Sequence, residues 1–256
     1  MKVHQIRNAT LIIDFAGSKF LIDPVLAQKG AYPGFANTAN SHLAWPTVEL
    51  PRSIDEIVDV DAVIVTHTHP DHWDEAAKSL IPKGLPVFVQ HERDATIVKA
   101  SGFTDVRLLG ADSRFGDTTL VKTPGQHGSD EAIEAHTDRL GEVSGVVFKH
   151  PSEKTLYIAG DTVWNTFVAE TLEAHQPDVV VLNSGDARID EFGPIIMGKE
   201  DVLSVHRAAP GATIIASHME AVNHATLTRA ELRSFALEHG LIDSLRVPED
   251  GEAVTF

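Results

Sequence analysis

The stretch Thr66-His67-Thr68-His69-Pro70-Asp71-His72 decides how this chain is read. It follows Ala62-Val63-Ile64-Val65, a β-branched apolar run that predicts a buried strand. At the end of a strand, residues two apart point to the same side, so His67 and His69 can converge on one cation. Pro70 turns the chain and redirects Asp71 and His72 toward a neighbouring position. Three imidazoles and a carboxylate so close together suit zinc or a similar divalent ion. The competing reading is a histidine-rich surface turn with Asp71 as a helix cap. The full pattern at a strand end favours the metal.

Composition narrows the chemistry. The 256 residues suffice for a substantial core in one domain. The formal charge of −16, with no Lys/Arg cluster, argues against nonspecific affinity for nucleic acid or anionic membranes. Cysteine is absent, so any metal here must use nitrogen and oxygen donors. The opening Met1-Lys2-Val3-His4-Gln5-Ile6-Arg7 lacks the apolar core of a signal peptide, and no run of about 18 apolar residues suggests a membrane span. A cytoplasmic enzyme acting on a small molecule is the expectation.

Outward from the centre, Thr10–Phe15 and Lys19–Pro24 flank Ala16-Gly17-Ser18 and predict a hairpin. Residues 25–52 form a long aromatic-bearing connection, read either as a lid or pocket wall or as a surface loop or dimer contact. Helical character follows from Trp73 to Leu80 and from His91 to Ala100, around a strand at Pro86–Gln90. Further strand-like runs are Asp105–Leu109, Thr118–Lys122, Val143–Lys149, Thr155–Ala159, Asp178–Asn183 and Ala212–His218. Helices are expected from Val163 to His175, up to Ala208, and from the capping box Thr228-Arg229-Ala230-Glu231 to about His239. Short runs at Leu245–Val247 and Ala253–Phe256 close the chain. This alternation suggests a layered α/β or α+β fold, with no linkers or repeats dividing residues 1–256.

Three more positions share the device of a polar ligand type just after an apolar strand: His127 beside glycines, Asp161 in Gly160-Asp161-Thr162, and His218. Asp161 is alternatively a helix N-cap. Asp186 and Asp201 read as turn and capping residues, and Met197 as either a substrate contact or a gap filler.

His67-Thr68-His69-Pro70-Asp71-His72 resembles the His-x-His-x-Asp-His signature of the metallo-β-lactamase-fold hydrolases. The resemblance covers nearly the whole chain and implies a four-layer αββα sandwich. It also implies two divalent ions, zinc first with manganese or iron as alternatives. One ion falls to His67, His69 and His127, the other to Asp71, His72 and His218, with Asp161 bridging. Asn8-Ala9-Thr10, Leu21–Pro24 and Gly193–Asp201 resemble a branch that includes ascorbate-6-phosphate lactonase-like proteins, many of which carry His where Asn8 stands.

The implied activity is hydrolysis of a small lactone, ester or phosphorylated metabolite by a metal-bound hydroxide, since zinc lowers the pKa of bound water toward about 7. Asp71 and His224 are the candidate catalytic side chains. His224 is placed to donate a proton to the leaving group or bind a polar substrate group, or else it only hydrogen-bonds its loop. The alternatives are a single-iron sulfur-dioxygenase-like enzyme and a phosphodiesterase or nuclease of the same superfamily, the last disfavoured by the acidic charge. Redox di-iron members carry a carboxylate where this chain has His69. The expected partner is a small-molecule substrate, with no nucleic acid or membrane; self-association is left open.

Overall fold

Alternate residues of the apolar strands enter different cores, and that alternation sets the layers. Ala62 and Ile64 join one cluster while Val63 and Val65 join another. Val179 and Val181 separate from Val180 and Leu182 in the same way. A strand buried on both faces must lie between two other layers. The computed structural model, which describes residues 1–256, has that architecture.

The first sheet contains β1 (Lys2–Arg7), β2 (Thr10–Phe15), β3 (Ser18–Ile22), β4 (Ala62–Val65), β5 (Val87–Val89) and β6 (Val106–Leu108). The second begins with β7 (Ser113–Phe115), β8 (Thr118–Pro124), β9 (Ser144–Lys149), β10 (Leu156–Ile158) and β11 (Val179–Asn183). A separate ribbon of β12 (Arg188–Ile189) and β13 (Gly193–Pro194) precedes β14 (Thr213–Ser217) and β15 (Leu245–Arg246), which complete the second sheet. The final strand, β16 (Ala253–Thr255), returns to the first sheet beside β1.

Both sheets follow one plan. The order β16-β1-β2-β3 is antiparallel and β3-β4-β5-β6 parallel. Likewise β7-β8-β9-β10 is antiparallel and β10-β11-β14-β15 parallel.

The helices are α1 (Ile54–Ile57), α2 (Glu75–Leu80), α3 (Glu92–Ala100), α4 (Asp130–Ala135), α5 (Thr137–Leu140), α6 (Thr166–His175), α7 (Lys199–Ala208) and α8 (Arg229–Glu238). Ala77, Ala95 and Val98 from α2 and α3 cover the outer face of the first sheet. Val168, Leu172, Val202, Val205, Leu232 and Phe235 from α6, α7 and α8 cover that of the second. The result is the αββα sandwich implied by the family resemblance. No helix is long and apolar enough to cross a membrane.

Some boundaries differ from the sequence expectation for local reasons. Trp73 is buried against Phe103 rather than helical, because α2 begins only after Asp74, whose carboxylate accepts the Ala77 N–H at 2.7 Å. His91 is the cap of α3, not its first residue, and Asn165 caps α6 after a non-helical 163–165. The sequence pattern does not predict β1, α1, β7, α4, α5 or the β12–β13 ribbon. β1 is paired partly to β16 at the far end of the chain, a partner that no local pattern reveals. The box at Thr228 and Glu231 does start α8, and Gly240, at φ +71°, follows its end. Met197 is fully buried in the core beneath α7, and Asp201 accepts the Gly198 N–H at 3.1 Å as a cap.

Phe148 of β9 crosses between the sheets, with ring centroids 5.4 Å from Phe15 and 5.2 Å from Phe20. Removing this ring leaves a void that neither sheet can close alone. Phe148→Ala is expected to cost about 3–5 kcal/mol of stability, read as a lowered urea midpoint with an unchanged slope. A loss under about 1 kcal/mol would mean that the inter-sheet layer repacks freely.

Candidate metal centre

The parallel strands carry their C-terminal ends to one edge, and the polar residues that follow them meet there. β4 leads into His67 and His69, and the carbonyl of His69 accepts N–H groups from both His72 and Trp73 at 2.9 Å. That tight turn after Pro70 brings Asp71 and His72 back into the site, with the His72 ring centroid 4.0 Å from that of His67. β8 leads to His127, β10 to Asp161 and β14 to His218. Gly160 holds φ +69°, and a Cβ there would press into the Ser144 carbonyl, so only glycine delivers Asp161 in this way.

Two donor groups result. His67, His69 and His127 form one; Asp71, His72, Asp161 and His218 form the other, the ligand atoms of each group lying within 4.8 Å of one another. The Asp161 carboxylate lies between them. Its Oδ2 is 3.0 Å from His72 Nε2, 3.9 Å from His67 Nε2 and 3.8 Å from His127 Nε2, and its Oδ1 is 3.7 Å from His218 Nε2. The structure therefore brings together all seven residues that the sequence singled out as ligands.

Hydrogen bonds around the site set the imidazole tautomers. His127 Nδ1 donates to the Ile195 carbonyl at 2.8 Å, and His72 Nδ1 donates to Asp23 Oδ2 at 2.9 Å, leaving each Nε2 as the donor atom. Thr66 Oγ1 gives its proton to Asp23 at 2.7 Å, so it accepts from His67 Nδ1 at 3.2 Å. His67 Nε2 is then a buried nitrogen with no hydrogen-bond partner, which is the arrangement a cation satisfies. An all-nitrogen-and-oxygen donor set of this kind fits zinc or a related divalent ion.

Burial lowers the pKa of His67 and His127, and that of His69 to about 4. These rings are therefore neutral at neutral pH, the form a metal requires. Burial also opposes charge on His72, but Asp161 and Asp23 outweigh it and hold this pKa well above the usual histidine value. Burial works against ionisation of Asp71 and Asp161, yet their histidine neighbours prevail and keep both below the ordinary carboxylate range.

Sequence reasoning missed the residues that hold the ligands. Asp23 also accepts the Thr66 N–H at 2.7 Å, and Asn183 Nδ2 donates to Asp161 Oδ1 at 2.7 Å. Asp23 carried a usable signal, because it follows the apolar Leu21-Ile22 just as Asp161 follows its strand. Asn8, at φ +56°, donates from Nδ2 to the Asp71 carbonyl, and its own carbonyl accepts from the N–H of His218 and the hydroxyl of Ser217. Asparagine at this position thus ties two ligand-bearing loops through their backbones.

A cavity of about 260 Å³ opens onto the donors, walled by Phe35, Thr38, Arg139, Leu140, Ile195 and His224 together with His69, Asp71 and His127. The 25–52 connection therefore contributes a wall. His224 is nearly fully buried, its Nδ1 lacks a partner, and burial, partly opposed by Asp71, lowers its pKa to about 4.

The description of the β-lactamase superfamily domain matches residues 18–219. This chain belongs to that superfamily. It is 52% identical to the UPF0173 protein YddR of Bacillus subtilis, over 100% of both chains. The crystal structure of an isothiocyanate hydrolase from Delia radicum gut bacteria is 51% identical, covers 100% of this chain and 99% of its own, and superposes with a TM-score of 0.98. A UPF0173 metal-dependent hydrolase of Bacillus cereus strain Q1 is 29% identical, with 85% of each chain covered. With these relatives and this donor set, the superfamily member described here is a metal-dependent hydrolase.

Asp23 orients His72 without being a ligand itself. Asp23→Asn is expected to weaken metal retention by about 10–100-fold, measured by competition with a chromogenic chelator. Unchanged retention would reduce Asp23 to a brace for Thr66.

Proposed function

We propose that this chain is a dinuclear hydrolase of small isothiocyanates. The observation that carries the reading is the match along the whole chain, at 51% identity, to an isothiocyanate hydrolase. The cavity supports it. Phe35, Leu140 and Ile195 offer apolar surface for a compact side group. Its one guanidinium, on Arg139, already donates to the Ala36 carbonyl at 2.9 Å.

The reaction joins a water oxygen to the central carbon of R–N=C=S, breaks the carbon–nitrogen bond, and places both water protons on nitrogen. The products are R–NH2 and carbonyl sulfide. His67, His69 and His127 would hold one divalent ion and Asp71, His72 and His218 the other, with Asp161 shared. Such ions supply a hydroxide-strength nucleophile near neutral pH and polarise the substrate.

The chain's own residues then orient the substrate. The apolar wall seats the side group, so that the cumulated carbon faces the histidines. His224 lines the same cavity with an unpaired ring nitrogen and provides a hydrogen bond to the nitrogen that must leave as amine.

Metal-loaded protein should release amine and carbonyl sulfide from an alkyl isothiocyanate, with heavy oxygen from labelled water in the carbonyl sulfide. A chelator should abolish turnover. Unlabelled carbonyl sulfide, or turnover indifferent to the chelator, would end this reading. Elemental analysis should approach two ions per chain, and Asp161→Ala should disturb both; a single ion unaffected by that change would remove the bridge. His224→Ala should keep its metal while kcat falls about 10²–10⁴-fold if the ring moves the amine's proton. Near-normal turnover would leave His224 a structural residue.

A further inference from the structure

The wall residue Phe35 lies in a long loop, yet it is held from three directions. Its ring stacks on Trp45 at 5.0 Å and 16°, and meets the edge of His224 at 4.9 Å and 72°. Trp45 is itself buried with Val25 and Val222. The remaining restraint is Asn223, buried and far away in sequence. Asn223 Oδ1 accepts the Phe35 N–H at 3.0 Å, and Nδ2 donates to Thr38 Oγ1 at 3.0 Å and to the Ala39 carbonyl at 2.9 Å. The Asn223 carbonyl also accepts from Asn40 Nδ2 at 3.2 Å.

Asn223 touches neither the donor groups nor the cavity, so none of these bonds serves a ligand. Two of them hold Phe35 and Thr38, which form one side of the cavity, and the other two hold the adjoining Ala39 and Asn40. The next residue in the chain, His224, forms another side. One side chain thus fixes Phe35 and Thr38, with the Phe35 ring resting against the edge of the neighbouring His224.

We propose that Asn223 is the positioning residue for side-group selection in this cavity: it acts through Phe35 to fix the apolar wall against which the substrate's R group packs. The inference rests on the hydrolytic reading above. Its substrate class is a small electrophile whose apolar group fills the space between Phe35, Leu140 and Ile195. Because the restraint acts on the wall and not on the reacting atoms, its loss falls on KM for bulky substrates more than on kcat.

The test compares methyl and cyclohexylmethyl isothiocyanate in wild type, Asn223→Ala, Phe35→Ala and the double variant, all zinc-loaded. Calorimetry of the matching amines, methylamine and cyclohexylmethylamine, gives a readout independent of turnover. Wild type should favour the bulky member of each pair. Asn223→Ala and Phe35→Ala should each reduce that preference about tenfold, the worth of roughly 60 Å² of apolar contact, mainly through KM. The double variant should be no worse than Phe35→Ala, because the two act through one contact. Asn223→Asp retains the acceptor for Phe35 and should keep most of the preference; with Phe35→Ala it decides the matter if Asn223→Ala does not fold.

An equal fall in kcat for both substrates, or effects that add fully in the double variant, would overturn the assignment. If wild type turns over neither isothiocyanate, the proposed reaction fails while the amines still decide this inference. A bulky-amine preference lost in Asn223→Ala upholds it, and one retained, or absent from wild type, overturns it.

Discussion

The Asp161 carboxylate, buried among the imidazoles of His67, His72, His127 and His218, is the constraint on which the rest of this structure depends. A charge out of water is tolerated only where partners surround it, and removing one partner from such a group typically costs about 3–5 kcal/mol. Here the partners come from three different strand ends, those of β4, β8 and β14. The two sheets must therefore stay in register with each other to within an ångström or so at this edge. The inter-sheet layer around Phe15, Phe20 and Phe148 does that work, because three interlocked rings resist sliding in a way that a layer of small residues would not.

The repeated plan of the sheets explains why the ligands converge. In each sheet, parallel strands follow the antiparallel ones, and parallel strands present all their C-terminal ends on one side. Facing the sheets brings the β4 end of the first opposite the β8, β10 and β14 ends of the second. Neither sheet alone supplies both donor groups: His67, His69, Asp71 and His72 follow the first, while His127, Asp161 and His218 follow the second. The metal centre is thus a seam between halves.

Around that seam, polar residues that are not ligands do the orienting. Asp23 and Thr66 lie beneath the histidines, Asn183 holds Asp161, and Asn8 joins the Asp71 and His218 loops through backbone atoms. Each satisfies a group that burial would otherwise leave unpaired. The substrate side of the site is built differently, from a loop pinned by stacking and by Asn223. A loop can change its aromatic wall without disturbing the candidate ligands on the strand ends.

The candidate ligands were legible in the sequence because they lie at or shortly after strand ends and match the family signature there. Local chemistry marks such an end: alternation predicts the strand, and a histidine or aspartate just past it has nothing of its own to bond. The same signal stood at Asp23 after Leu21-Ile22, but a single carboxylate without nearby histidines does not announce its partner. Nothing local reveals that β1 pairs with β16, or that Asn223 grips Phe35 across most of the chain. Those contacts join residues far apart in sequence, and their side chains are ordinary for a loop or an edge strand. Sequence by itself therefore determined the central His67–His72 cluster and a layered α/β or α+β fold, since both follow from short-range pattern and side-chain chemistry; the full donor set came with the family resemblance. The tertiary structure alone decided how far the candidate donors lie from Asp161, which residues hold them and what forms the cavity wall, because those are matters of distance between segments that only packing brings together.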